Sequence, residues 1–164
     1  MVQDVVRSLG HLCLGTRLKR LGELLQADVQ RVLDELDPPV AAAQHPLLAA
    51  LDRLGPLSVG ELAQAVGISQ PGVTRSLGQM AALGLVAIEQ PEDDQRRRIV
   101  SLSPDGARLV EVAKRDAWPR IKATVAELCE GLSGPLLDQL AALEDALAAA
   151  PLASRAARQR EGVR

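Results

Sequence analysis

The stretch from Leu57 to Gly106 constrains this chain more than any other. It reads LSVGELAQAVGISQPGVTRSLGQMAALGLVAIEQPEDDQRRRIVSLSPDG. Ser58 followed three residues on by Glu61 has the form of a capping box, in which each side chain bonds a free backbone N–H near the other and starts a helix. Leu62, Ala63 and Val66 are its inward positions, and Gly67 permits the left-handed backbone that leaves it. Ile68 fills the turn. Ser69 is the N-cap of a second helix, with Pro71 in its first turn and Val73, Leu77, Met80 and Leu83 as a buried stripe. Gly84 ends that helix.

Two strand-like runs follow, Leu85 to Ile88 and Ile99 to Leu102, joined by a charged loop with three consecutive arginines. Ser103 then caps a further helix that has Pro104 at its first position. Helix, turn, helix, hairpin is the order of a winged helix-turn-helix. The predicted class is mainly α with a small β-hairpin wing, flanked by N- and C-terminal dimerisation helices.

The first flanking element is predicted as one amphipathic helix from Val2 to Leu36, with apolar residues three and four apart, stopped by Asp37-Pro38-Pro39. A short helix is predicted from Pro46 to Leu54. Beyond the wing, a helix is expected from Pro104 to Glu130 with a kink near Trp118-Pro119. Gly131 to Pro135 is a turn, and Leu136, Leu137, Leu140, Leu143 and Leu147 mark a last helix. The predicted organisation is a single protomer over residues 1–150. Residues 43–103 form the winged module, 1–37 and 104–150 supply dimerisation helices, and 151–164 are an Arg-rich tail expected to be flexible. Apolar stripes of this length exceed what a small winged module can cover, which points to a homodimer. Leu9, Leu12, Leu136, Leu140, Leu143 and Leu147 are the candidate dimerisation residues.

Composition narrows the function. The 164 residues include no Phe, no Tyr and one Trp, so stacking of single-stranded bases on aromatic platforms has almost nothing to work with. The net charge of −2 counts mildly against nucleic acid, although the local placement of Arg decides phosphate contact. No apolar run approaches the roughly 18 residues of a membrane span. MVQDVVRSLG lacks a basic region followed by an apolar block, so the expectation is no secretion signal, no membrane partner and a cytoplasmic location. Two separated cysteines and two histidines, His11 and His45, make no metal set, and both histidines read as ordinary helix positions. No nucleophile–base pair or phosphate-binding glycine loop is present. The expectation is a protein that is not an enzyme and uses no cofactor.

A helix that enters the major groove needs small or polar residues at its N-terminal end. Ser69-Gln70-Pro71-Gly72-Val73-Thr74-Arg75 meets that need. Arg75 can bond guanine O6 and N7 or a phosphate, and Gln70 can pair with adenine. Ser69, Thr74 and the free amides of the helix start suit phosphate oxygens. Pro71 and Gln79 complete the candidates on this helix. At the wing, Arg96 can reach a narrow minor groove, braced by Asp94, with Arg98 on the same side of the strand and Arg97 on the other. Glu92, Asp93 and Asp94 oppose phosphate approach, so this is a positioned arginine rather than a basic patch. The expected partner is double-stranded DNA. A winged module that binds protein instead of DNA is the alternative that the acidic pI of about 5.7 favours.

These residues resemble the MarR family of bacterial transcriptional regulators, over nearly the whole chain. Asp94-Gln95-Arg96 followed by an apolar strand and then Leu102-Ser103-Pro104-Asp105-Gly106 is similar to the family's D-x-R and L-[ST]-x-x-G. Ser69 to Arg75 and Leu83-Gly84-Leu85-Val86 are similar to its recognition helix and exit. The resemblance implies a homodimer with interleaved terminal helices, Ser69, Gln70, Thr74 and Arg75 toward the major groove, and Arg96 in the minor groove. It also implies regulation, as many members release DNA when a small-molecule effector binds. Another branch senses peroxide through a cysteine in the first helix, which makes Cys13 a redox candidate. That branch supports its cysteine with tyrosines, and this chain has none. Cys129 reads as buried and inert.

Overall fold

The structure is a computed structural model that describes residues 2–90 and 98–150. Contacts divide the chain into two units, Met1–Ile121 and Lys122–Arg164. The first unit opens with a short helix α1 (Val5–Ser8), a 3-10 turn (Gly10–Cys13) and the long helix α2 (Leu14–Leu33). The predicted single helix from Val2 to Leu36 is therefore broken. Gly10 takes φ +56, a left-handed conformation that costs an L side chain but not glycine. The apolar spacing continues across the break, which hides it from the periodicity.

After a 3-10 turn (Ala42–Gln44) come α3 (His45–Leu54), β1 (Leu57–Ser58), α4 (Val59–Val66) and α5 (Gln70–Ala82). The wing is β2 (Val86–Glu89) and β3 (Ile99–Leu102). The expected two-stranded hairpin is a three-stranded antiparallel sheet in the order β1-β3-β2, with Leu57 opposite Val100 and Val86 opposite Leu102. α6 (Pro104–Val112) leads through a π-helical turn (Ala113–Ala117) into α7 (Trp118–Cys129). The expected kink takes this form. Pro119 has no N–H and its ring crowds the carbonyl four residues back, so the ladder widens just before it.

The core of the first unit is almost wholly aliphatic. Leu33, Leu36, Leu47, Leu48, Leu62, Val73, Leu77, Met80, Leu85, Val100, Leu109 and Val110 are buried in one cluster. The predicted stripe of α5 is correct for Val73, Leu77 and Met80. Leu83 is instead exposed, because it stands at the C-cap, past the last turn that faces the core. α4, α5 and the sheet thus form one packed body with α3 and α6, and this holds the face of α5 opposite its stripe toward solvent.

The second unit contains the end of α7 and α8 (Leu136–Ala149). α8 has no buried residue. Cys129, expected to be buried, is half-buried at the last residue of α7. Among the described residues, no helix is long and apolar enough to cross a membrane.

Candidate nucleic-acid interface

Local chemistry sets both helices of the candidate reading unit. Ser58 and Glu61 form the full capping box, with the Ser58 N–H donating to the Glu61 carboxylate at 2.7 Å and the Glu61 N–H to Ser58 Oγ at 3.3 Å. Ser69 caps α5, its Oγ accepting from the Gly72 N–H at 3.4 Å. With Val73, Leu77 and Met80 buried on one side, Ser69, Gln70, Pro71, Thr74 and Arg75 stand exposed on the other and at the helix start. Among the described residues Arg75 has no ion pair or hydrogen bond, so its guanidinium is available. Gln70 folds back over α4. Its Nε2 lies 3.5 Å from where a Cβ on Gly60 would sit, so it must swing out to reach a base. Gln79 is placed differently from the others. Its Oε1 accepts from Gln44 Nε2 at 2.5 Å, so its side chain is turned toward the 3-10 turn before α3.

The wing is anchored at its base by the Ser103 cap that the spacing predicts and by contacts to Gly84 and Leu85 that it does not. Ser103 Oγ accepts from the Gly106 N–H at 3.0 Å and donates to the Gly84 carbonyl at 2.5 Å. The Ser103 N–H donates to the Leu85 carbonyl at 3.0 Å. A Cβ on Gly106 would lie 1.9 Å from that same carbonyl oxygen. The L-S-x-x-G pattern is thus a clasp in which serine ties the exit of α5 to the start of α6, and glycine lets the two backbones touch. Arg98 is exposed next to β3. Asp94 and Arg96 lie outside the described residues.

Four of the six candidate dimerisation residues are exposed and two are half-buried. Leu9 and Leu12 are exposed, the latter by 82%, and Leu14, Leu18, Leu21 and Leu24 extend the stripe along α2. On α8, Leu143 and Leu147 are exposed while Leu136 and Leu140 are half-buried. Cys13 is half-buried at the end of the 3-10 turn.

His45 is not an ordinary helix position. It is buried at the start of α3, with its ring edge-on to Trp118 at a centroid distance of 6.0 Å. Trp118 Nε1 donates to His45 Nδ1 at 3.0 Å, which puts the histidine proton on Nε2, and among the described residues that atom has no partner in good hydrogen-bond geometry. Burial pushes the His45 pKa down, against a smaller opposing pull from the Val40 carbonyl. On the flanking elements the charges are paired with one another: Glu35 with Arg120 at 2.5 Å, and Asp52 with Lys114 at 3.0 Å. Hydrogen bonds from Lys114 to Glu111 and to Asp52 raise the Lys114 pKa. An open groove of about 520 Å³ lies between the end of α2 and α6–α7, lined by Glu35, Leu36, Val112, Arg115, Asp116, Ala117, Pro119 and Arg120. Among the described residues no group of three or more His, Cys, Asp or Glu could hold a metal ion.

Known proteins share this frame. The sequence model of the MarR family matches residues 38–97. An uncharacterized HTH-type transcriptional regulator of Mycobacterium leprae is 33% identical over 101 residues, which span 58% of this chain and 71% of the relative. The regulator MosR of M. tuberculosis, solved in complex with DNA, superposes with a TM-score of 0.68 at 23% identity, over 85% of this chain and 99% of that one. The regulator PcaV of Streptomyces coelicolor, solved with its natural ligand, gives 0.66 at 19% identity, over 92% and 99%. With the capped reading unit, the serine–glycine clasp and the three-stranded wing in place, the chain belongs to the MarR family of transcriptional regulators.

Proposed function

We propose that this protein is a homodimeric repressor that binds a palindromic DNA operator, with α5 of each protomer in the major groove and the arginine wing in the minor groove. The observation that carries the reading is Arg75, exposed and without a partner among the described residues, beside Ser69 and Thr74 on a helix whose opposite face is buried through Val73, Leu77 and Met80. A buried stripe fixes the helix, so its polar end meets DNA as a rigid surface. MosR, which shares the fold, is a DNA-bound regulator and supports the assignment. Two-fold symmetry through α1, α2 and α8 would place half-sites about one helical turn (roughly 10 bp) apart. Arg96, braced by Asp94, and Arg98 supply the minor-groove contact in this reading.

A small-molecule effector fits the same scheme, since PcaV binds a natural ligand. The groove beside Glu35 and Arg120 offers arginines and aliphatic walls, so an effector held there would be gripped by charge and not by stacking.

The test is a mobility-shift titration with DNA from upstream of the protein's own gene. Arg75→Ala should weaken binding about ten- to a hundredfold and relax the preference at one base pair if it reads a base. Arg96→Ala should weaken binding without changing that preference at major-groove positions. If neither substitution changes affinity at moderate salt, the groove assignment is wrong.

A further inference from the structure

Between α2 and α3, three elements are tied by side-chain amides. Gln30 on α2 brackets the segment. Its Oε1 accepts from the Ala42 N–H at 2.6 Å, and its Nε2 donates to the Val40 carbonyl at 3.1 Å and to Asp34 at 2.8 Å. Two residues beyond Ala42, Gln44 is buried at 4% exposure, and its Nε2 donates to Gln79 Oε1 on α5. A buried carboxamide costs free energy unless it is bonded, and an apolar side chain of the same length would fill the space without that cost. Gln79 is exposed, so water could satisfy it. The bond is therefore not needed to rescue Gln79. Its effect is geometric: it fixes the C-terminal half of α5 against the 40–45 segment, and Gln30 fixes that segment against α2.

We propose that Gln44 is a positioning residue for DNA recognition, the middle link of a Gln30–Gln44–Gln79 relay that makes the orientation of α5 follow that of α2. The inference rests on the reading of α5 as the recognition helix and α2 as a dimerisation helix. On that reading the relay joins the contact between subunits to the helix that reads the operator. A change in how two protomers meet along α2 then alters the spacing and tilt of the two reading helices, with no contact between α2 and DNA.

The test uses Gln44→Met, which keeps length and volume and removes the amide, and Gln30→Met, which touches neither α5 nor DNA. In hydrogen exchange on the free protein, both should speed the amides of Gly78 to Ala82 by about tenfold and leave α3 and α6 unchanged. With DNA, a series of operators whose half-sites are moved one base pair closer or further apart should show a sharp optimum for the wild type. Both variants should lose about tenfold at that optimum and bind the series more evenly. A purely structural loss would lower binding by the same factor at every spacing, and that result, or unchanged exchange in α5, overturns the relay. If Gln44→Met unfolds, Gln79→Ala removes the same bond from the exposed side and must give the same exchange pattern. If α5 exchange responds but the wild type binds no duplex, the DNA reading fails while the mechanical link stands.

Discussion

Gly106 and His45 show how single positions set the limits of this fold. A side chain on Gly106 meets the Leu85 carbonyl, part of the backbone, so no rotamer relieves the clash. Gly106→Ala should lower stability by about 3 kcal/mol in urea denaturation, near the upper end for overpacking. Ser103→Ala, which loses the helix cap and the bond to Gly84, should cost about 2 kcal/mol. His45 imposes a pH limit. Its folded pKa lies below the ordinary value of 6.5, so the neutral form is the folded one. Above pH 6.5 its contribution to stability is complete. As pH falls below 6.5 the unfolded chain takes up a proton that the folded chain excludes, and stability declines toward the folded pKa. Thermal melts over this range should show that decline in the wild type and a shallower one in His45→Gln.

At the scale of elements, the N-caps divide by purpose. Ser58 and Ser69 make the same kind of bond, so Ser58→Ala and Ser69→Ala should each cost about 1 kcal/mol. On the proposed reading only Ser69→Ala also removes a phosphate contact, and DNA titrations at equal folded fraction should separate the two. Caps of this kind are legible because their partners lie three residues away: Ser58 with Glu61, Ser69 with Gly72 and Ser103 with Gly106 all follow from local sequence. The elements that escaped are those made by distant partners. β1 is two residues long, and its strand character comes only from pairing with Ile99 and Val100. The bond between Gln79 and Gln44 spans 35 positions, so nothing near either residue in the sequence announces it. His45 and Trp118 are 73 apart, and neither neighbourhood announces the other.

For the whole molecule, the unburied leucines are the main constraint. Leu18 and Leu21 on α2 are exposed, and no residue of α8 is fully buried. An aliphatic surface of this extent is costly to leave in water, and on the proposed homodimer reading a second copy covers it. Leu18→Lys with Leu21→Lys should give a monomer in sedimentation velocity, still folded because neither side chain is in the core. That monomer should lose preference for a palindrome over a single half-site. The unburied surface was legible as leftover apolar stripes. The break at Gly10 was not, since a backbone sign change leaves the spacing of leucines intact.

The near absence of aromatic residues has an optical consequence. With one Trp, no Tyr and no Phe, the chain's near-ultraviolet emission comes from a single indole, and that indole donates its N–H to His45 where α3 meets α7. An imidazole quenches a neighbouring indole far more strongly when protonated. The molecule therefore carries its own reporter at this junction, and acid, effector or DNA that shifts α3 against Trp118 should change its brightness without any attached dye.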